Sequence, residues 1–456
     1  MSDTPFGFGP ADRDRDRDEE SSGSSGPHDP FGSGPLGFGF PLPGMTAPGG
    51  QFDVSQLGQL LTQLGQMLSQ AGSSSGPVNY DLAAQMARQH LSATTSSLTD
   101  AQRSAVADAV RLAELWLEPT TDFPTGISEV RAWSPSEWVT ASLPTWRRLC
   151  DPVAQRVSTA WVEAMPEEVR QAAGPMLTML GQMGGLAFGS QLGHSLAQLA
   201  AEVVTSTDIG IPVGPDRVAA LLPENIEKLT RDLERPGSEV MLFFAAREAA
   251  HHRLYAHVPW LRERLLGAVE DYARGIRVDT SRLEDLARGI DPANPSSIEE
   301  ALQSGMFEPQ TTPEQKAALA RIETLLALVE GWVDTVVAEA VGDRLPGAEA
   351  LREALRRRRA SGGPAEQTFA TVVGLELRPR RLRAAAQLWR LLEERHGISG
   401  RDAVWAHPDL IPSAEDLDDP EGFVNRREDT DPLAELERTI ENEQRKADDE
   451  SDDEKS

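Results

Sequence analysis

Two short segments of the sequence contain acids and a histidine at spacings that could support chemistry. The first, Arg247-Glu248-Ala249-Ala250-His251, differs by one residue from H-E-x-x-H, in which two histidines bind zinc and the glutamate is a general base. The second, LALVEGWVDTVVAEA, places Glu330 and Asp334 four residues apart. Because residues four apart share one face of a helix, each segment would project two of these side chains in one direction.

Arginine at the first ligand position changes what the first segment can do. A catalytic zinc takes about three protein ligands and a water, whereas a guanidinium offers no lone pair to a metal. Arg247 could instead reach Glu330, form a bidentate ion pair and replace the charge of the metal. Such a site would lack the Lewis acid that lowers the pKa of a bound water.

Other histidines could supply a missing ligand. His252 points roughly 100° round the helix from His251, and His257 lies six positions on, so neither shares the face of His251. His194 and His407 stand in distant segments and could approach from elsewhere. A third interpretation is a plain polar helix face, since E-x-x-H is common by chance.

The elements that must position these residues are mostly helical. Apolar residues recur at helical spacing in many segments, such as 98–117, where Thr99 is a helix-cap signal, and 217–233. Period-two alternation is confined to VVTSTDIGIPV at 203–213 and FATVVGLELR at 369–378. We therefore predict a mainly α fold, a multi-helix core with few short strands.

The net charge of −28 over 456 residues is concentrated towards the two ends of the sequence. Residues 413–456 hold eighteen acids against six bases, and residues 1–50 are rich in glycine, proline and serine. Segments of this kind bury too little apolar surface to fold. We predict four parts: a disordered tail at 1–50, an amphipathic helix and linker at 51–77, a helical domain at 78–412, and an acidic disordered tail at 413–456.

The composition also argues against several classes of protein. A chain this acidic would be repelled by phosphate, so we expect no nucleic-acid partner. Cys150 is the only cysteine, which excludes an internal disulfide and a cysteine-based zinc site. The N-terminal sequence lacks the basic start and apolar core of a signal peptide, which predicts a cytoplasmic protein.

One long run, residues 171–201, has no formal charge and would be long enough to span a membrane. It contains Pro175, six glycines and many glutamine, serine and threonine residues. A helix that faces lipid would carry more leucine, isoleucine and valine. We therefore predict a closely packed helix inside a soluble core and no membrane span.

A basic cluster follows the Glu330 segment. It comprises LREALRRRRAS at 351–361 and LRPRRLRAAAQLWR at 377–390, with Trp389 nearby. One interpretation is a surface for phosphate or an acidic partner. The others are a solvated helix face and an internal dock for the acidic 413–456 tail.

Several separated segments resemble the zincin-like metallopeptidase family of actinobacterial proposed hydrolases, which is related to a branch associated with deazaflavin-cofactor biosynthesis. The resemblance covers most of 78–420 and implies a zincin-like helical core. The matching segments are GQMGGLAFGSQLG (181–193), EVMLFFAAREAAHHRLYAHVPWL (239–261), LLALVEGWVD (325–334) and AVWAHPDLIPS (403–413).

The resemblance also implies a role for individual residues. Glu248 matches the general base, His251 and Glu330 match metal ligands, and Asp334 matches the acid that orients a ligand histidine. Because Arg247 stands where the first histidine ligand belongs, we predict a catalytically impaired site without a cofactor, whose cleft binds a peptide or protein. The alternatives are an active zinc-dependent hydrolase with a third ligand from elsewhere, and a helical scaffold.

Overall fold

The computed structural model describes residues 76–92, 97–164, 174–233, 235–276, 312–360, 367–373 and 381–430. Three predicted features lie outside these residues: the tail at 1–50, the amphipathic helix in 51–75, and residues 431–456 of the acidic tail. The prediction of a mainly α fold with few short strands is confirmed.

Helices account for most of the described residues, and the strands are two. In chain order the elements are α1 (Tyr80–Ser92), α2 (Asp100–Leu117), β1 (Glu129–Ala132), α3 (Pro135–Ala164), α4 (Gly174–Ala200), β2 (Val218–Leu221), α5 (Pro223–Leu233), α6 (Gly237–His257), α7 (Pro259–Arg274), α8 (Pro313–Val341), α9 (Ala348–Ala360), α10 (Leu382–Asp402), α11 (Ala414–Asp418) and α12 (Pro420–Thr430). A π-helical turn spans Phe369–Val373.

Two of the long helices begin where threonine and glutamine form a capping box. Thr99 Oγ1 accepts a hydrogen bond from the backbone N–H of Gln102 (3.2 Å), and the Gln102 side chain accepts one from the Thr99 N–H (2.9 Å). Thr312 and Gln315 repeat this arrangement at the start of α8. Each box satisfies two backbone donors that a helix leaves unpaired at its N-terminus, and the cap predicted at Thr99 is confirmed.

The two strands lie elsewhere than the sequence predicts. β1 and β2 pair in parallel, with Glu129 opposite Val218. The run Val-Ala-Ala-Leu of β2 belongs to a segment predicted as helix, because a short apolar run does not distinguish a buried strand from a helix. Residues 203–213 are mostly turns, with one antiparallel bridge from Thr205 to Leu221, so the first predicted strand is wrong. The second is wrong over Phe369–Val373, which is helical, and its remainder at 374–378 lies outside the described residues.

Helices α6 and α8 form the centre of the larger hydrophobic core. From Val240 to Leu254, α6 is buried on nearly every side, and α8 is buried in the same way from Leu325 to Val341. A helix that is covered all round must supply partners for each polar side chain that it carries. The charged and histidine side chains within these buried stretches, which include Arg247, Glu248, His251 and Glu330, therefore need partners inside the protein.

The uncharged run forms α4, which packs closely against α1. A Cβ atom on Gly189 would lie 2.4 Å from the carbonyl oxygen of Asn79, and one on Gly193 would lie 2.6 Å from that of Ala83. The glycines thus allow the two backbones to approach, as the sequence predicts. Across the described residues, no helix combines the length and apolarity needed to cross a membrane.

Ordered structure continues beyond residue 412, the boundary predicted for the helical domain. The short helices α11 and α12 bury Leu417, Phe423 and Val424 in the same core as α6 and α8. Arg395 of α10 donates a hydrogen bond to Asn425 of α12 (2.7 Å). These few apolar residues among many acids are enough to fold 413–430 onto α10, although the composition predicts a tail there.

Candidate functional site

Helices α6 and α8 bring the predicted site residues together around Glu330. Arg247 Nη2 lies 2.5 Å from Glu330 Oε2, and His251 Nε2 lies 3.2 Å from Glu330 Oε1. The side chains of Arg247, His251 and Glu330 are 7%, 2% and 4% exposed. Arg247 and His251 point the same way because they are one helical turn apart on α6. The Glu330 carboxylate is therefore held between a guanidinium and an imidazole inside the protein.

The hydrogen bonds of His251 place a constraint on protons in this cluster. Its Nδ1 lies 2.8 Å from the backbone oxygen of Arg247, which can only accept a hydrogen bond. Its Nε2 faces a carboxylate oxygen of Glu330. A neutral imidazole has one N–H, so making both hydrogen bonds requires a second ring proton or a proton on Glu330.

Two further residues that the sequence analysis missed lie near Glu330. Tyr255, one further turn along the face of Arg247 and His251, donates a hydrogen bond to the backbone oxygen of Gly210 (2.6 Å). Burial and then the nearby charge of Glu330 raise the pKa of Tyr255 well above its usual value. Gly210 has a φ of +79°, and a Cβ there would lie 3.1 Å from Glu330 Oε1. The spacing of Tyr255 from Arg247 is the signal that could have identified it.

Glu248 points in another direction and ties α6 to the loop before β2. It is fully buried, and it accepts hydrogen bonds from the hydroxyls of Ser206 (2.5 Å) and Thr207 (2.6 Å). Backbone N–H groups of Thr207 (3.1 Å) and Ala220 (2.9 Å) also donate to it, and His252 Nε2 lies 3.2 Å away. Burial alone would raise the pKa of Glu248, but the hydrogen bonds and charge of His252 with the two hydroxyls lower it to about 2.

A general base needs access to the proton that it removes and a pKa near the working pH. Glu248 has neither a free oxygen nor a raised pKa, because the loop hydroxyls and amides occupy its carboxylate. This environment is typical of a carboxylate that organises a buried loop. The role of general base for Glu248 stays a prediction that this geometry does not favour.

Asp334, one turn beyond Glu330 on α8, faces arginines of α9. Its two oxygens accept hydrogen bonds from Arg352 Nε (3.0 Å) and Nη2 (2.7 Å), and Arg356 Nη1 lies 3.8 Å away. Burial would raise the pKa of Asp334, but Arg352, followed by Arg247 and Arg356, lowers it. Within the described part of the chain Asp334 contacts no histidine, so the predicted role of orienting a ligand histidine has no support in this arrangement.

A polar pocket of 430 Å³ opens beside Arg247 and Glu330. We call it the arginine pocket. Its charged lining residues are Arg247, Glu330 and Asp334 from α6 and α8, Glu349, Arg352, Glu353 and Arg356 from α9, and Arg383 and Arg390 from α10. Trp389, in the same basic cluster of the sequence, is buried beneath and donates to the backbone oxygen of Leu328 (2.8 Å). The buried Arg247–Glu330 pair is therefore reached from the side of α9 and α10.

The remaining candidate histidines have other partners. His257 lies against the backbone oxygen of Arg253 and stacks on a phenylalanine ring. His194 is on the surface of α4, and His407, 61% exposed, pairs with Asp409. Nowhere among the described residues do three histidine, cysteine, aspartate or glutamate side chains converge closely enough to hold a metal ion.

Comparison with known proteins gives two matches. A family model described as zincin-like metallopeptidase matches residues 78–424. The crystal structure of a "putative hydrolase with a novel fold" from Chloroflexus aurantiacus is similar in fold, with a TM-score of 0.54 and 19% sequence identity. The match covers 78% of this chain and 99% of that chain. No curated protein matches the sequence.

Zinc is the metal that proteins of this family usually bind, and the donors present here do not fit it. His251 and Glu330 are two donors where a catalytic zinc takes about three. The guanidinium of Arg247 already occupies Glu330 Oε2 at 2.5 Å, and Asp334 is bound by Arg352. Arg247 and Arg352 thus engage, through ion pairs, two of the carboxylates that a metal would need.

Proposed function

The chain belongs to the zincin-like metallopeptidase family, and we propose that this member uses the family's helix pair as a binding site without a metal. Arg247 supplies the positive charge beside Glu330 that zinc would otherwise supply. The observation that carries the proposal is the ion pair between Arg247 Nη2 and Glu330 Oε2, 2.5 Å apart and buried on both sides.

The physical argument concerns the cost of burying a carboxylate. A charged group taken out of water must be paired and hydrogen-bonded, and Glu330 obtains both from Arg247 and His251. A guanidinium has donors only, so it can hold an anion but cannot polarise a bound water as zinc does. The site therefore retains the ability to position charged groups and loses the means to activate water.

The occupant that we propose for the cleft is a peptide or protein segment. The arginine pocket, with its charged walls, suits a ligand that carries several polar groups. A net charge of −28 disfavours nucleic acid as the partner. A cytoplasmic location stays a prediction from the sequence, and cell fractionation would test it.

Family membership favours a second candidate, an active zinc-dependent hydrolase. In that case the Arg247 side chain would have to leave Glu330, and a third ligand would have to join His251 and Glu330. Such a rearrangement would break the buried ion pair between Arg247 and Glu330. Measured zinc content separates the two candidates.

The test is metal analysis of the purified full chain after incubation with excess zinc and exhaustive dialysis. We expect far less than one zinc per chain. Substituting Arg247→His restores H-E-x-x-H, and we expect that variant to retain about one zinc per chain. Adding His251→Ala to Arg247→His serves as the control and should remove the gained zinc.

The unaltered chain could instead retain about one zinc per molecule. If His251→Ala then abolished that zinc, the metal-free site would be refuted and the hydrolase would be the better interpretation. Arg148 is exposed and far from α8 in the chain. If Arg148→Gln lowered the zinc content as much as His251→Ala does, the zinc would be bound adventitiously. That outcome would leave the metal-free site standing.

A further inference from the structure

We propose that the arginine pocket binds a run of carboxylates, and that its occupant is the segment DDESDDE, residues 448–454 of the same chain. The inference deepens the proposed binding role of this site by naming the chemistry of its ligand. The inference takes from the proposed function only the premise that this pocket binds a ligand.

The two walls of the pocket differ in how far their arginines are neutralised. On α9, Arg352 and Arg356 are paired with Asp334, Glu349 and Glu353 and held in position by them. The opposite wall, on α10, is different.

There the side chain of Arg383 is exposed and makes no hydrogen bond or ion pair with any described residue. Arg390, also exposed, uses its Nε to donate to the backbone oxygen of Ala386 (3.2 Å) and has no acid partner in the described ranges. Among the described residues, two guanidiniums without an acid partner thus face a wall of ordered ion pairs.

This arrangement favours a ligand with carboxylates. Each guanidinium presents a planar set of N–H donors that matches a carboxylate in two parallel hydrogen bonds. The spacing of Arg383 and Arg390, seven residues or two turns of helix, is roughly 10 Å along α10. An extended peptide with acids along three or four residues matches that separation, with one carboxylate for each guanidinium.

The acidic segment of the same chain is placed to reach this wall. Helix α12 runs beside α10, where Asn425 accepts the hydrogen bond from Arg395. Arg390 is five residues before Arg395, or about 7.5 Å along the helix. The seventeen residues between Thr430 and Asp448 can span up to about 60 Å when extended, so the connection is long enough.

Tethering also decides between this segment and a free acidic peptide. A covalent connection of this length would hold the segment at an effective concentration of order millimolar near the site. Residues 448–454 contain six acids and a serine and no base, the densest negative run in the chain. The segment would exclude any partner that binds the pocket more weakly than the segment does. It would therefore act as an inhibitor that a more tightly binding acidic partner displaces.

The test uses a fluorescent peptide of residues 447–455 and two forms of the full chain. One form is unaltered, and in the other the six acids of 448–454 are replaced by asparagine and glutamine. We expect the peptide to bind the neutralised chain with a micromolar Kd and the unaltered chain at least about tenfold more weakly, because its own segment competes.

The pocket is located with a matched pair of variants in the neutralised chain. Arg383→Gln with Arg390→Gln should weaken peptide binding by about tenfold or more. Arg103→Gln with Arg111→Gln removes the same charge from exposed positions on α2 and should change it less than about twofold. Urea unfolding of each variant verifies that the fold is intact.

Three results would overturn the inference. The peptide could fail to bind the neutralised chain, bind both chains equally, or lose affinity as much in the α2 variant as in the α10 variant. The first denies the pocket a carboxylate ligand, the second denies occupancy by residues 448–454, and the third indicates general charge attraction. Zinc content of the same preparations is measured separately, so each result is distinguishable from a failure of the proposed metal-free site.

Discussion

Replacing Arg247 by methionine tests whether the guanidinium is the counter-charge of Glu330. Methionine keeps the length and apolar stem of the side chain and removes the ion pair. Glu330 is 4% exposed and would lose the guanidinium while keeping the contact with His251 at 3.2 Å. Removing one partner of a buried ion pair costs about 3–5 kcal/mol. Because the imidazole still faces the carboxylate, we expect a loss near the lower end, about 3 kcal/mol in the free energy of unfolding.

The second substitution, Glu330→Gln, reveals whether that loss comes from the uncompensated charge. In the double variant Arg247→Met with Glu330→Gln, no buried carboxylate remains, and we expect a loss of about 1–2 kcal/mol from missing hydrogen bonds. The double variant would thus be more stable than Arg247→Met alone. Urea denaturation at constant m-value, followed by circular dichroism, measures all three changes.

An exposed ion pair provides the control for this cycle. Arg148 and Glu263 are 3.0 Å apart, with side chains 47% and 67% exposed. Arg148→Met should cost less than about 1 kcal/mol, because solvent screens both charges. The reasoning is refuted if Arg247→Met costs no more than Arg148→Met, or if the losses from Arg247→Met and Glu330→Gln simply add in the double variant.

Three further predictions concern the surroundings of the site. Glu248→Gln should lower the free energy of unfolding by roughly 3 kcal/mol at neutral pH. The folded-state pKa of Glu248 is lowered to about 2. The stability difference between Glu248→Gln and the unaltered chain should therefore shrink as pH falls from about 4.5 towards 2. Burial, followed by the charge of Glu393, raises the pKa of Glu339 to about 7. The stability of the protein should therefore fall as pH rises from about 4.5 to 7. In thermal melts, Glu339→Gln should reduce this dependence of stability on pH. Gly331→Ala would place a Cβ 2.7 Å from that of Ala385 and should destabilise the α8–α10 contact by about 1–3 kcal/mol. The control in the same urea titration is Gly267→Ala on α7, where nothing lies within 4 Å, and it should instead gain up to about 1 kcal/mol from helix propensity.

The part of the site that depends on local periodicity could be predicted from the sequence. Arg247 and His251 are one helical turn apart, so they had to share a face, and the only open question was which helix they meet. The apolar residues around Glu330 predict that its helix is buried, and a buried acid requires a cation. That reasoning leads to the Arg247–Glu330 contact that the structure contains.

The partners of Glu248 and Asp334 could not be predicted in this way. Glu248 is bound by Ser206 and Thr207, which lie about forty residues earlier in a loop without periodicity. Asp334 contacts Arg352 because α8 and α9 fold back on each other through a short connection. The resemblance to the family had instead predicted a histidine as the partner of Asp334. Contacts made by loops and helix reversals depend on tertiary packing, which local spacing does not contain.

The strand β2 shows a different limit. Its four residues, Val-Ala-Ala-Leu, are compatible with helix or strand, and the helical periodicity of α5 directly after them favours a helix across the whole segment. Val218 pairs with Glu129, which lies eighty-nine residues earlier in the sequence. A short run of this kind acquires its conformation from its partner, and four residues carry too little pattern to name that partner.

The loop at 203–213 is fastened by the Glu248 carboxylate and by the hydrogen bond from Tyr255 to Gly210. Because these hydrogen bonds contribute to the stability of the fold, substitutions on the 203–213 side of the site would destabilise the protein. Arg383, Gln387 and Arg390 on the opposite border are exposed and can be exchanged at small cost to folding. A lineage with this architecture would therefore acquire new ligands by altering α10, and divergence among its members should accumulate at those three positions first.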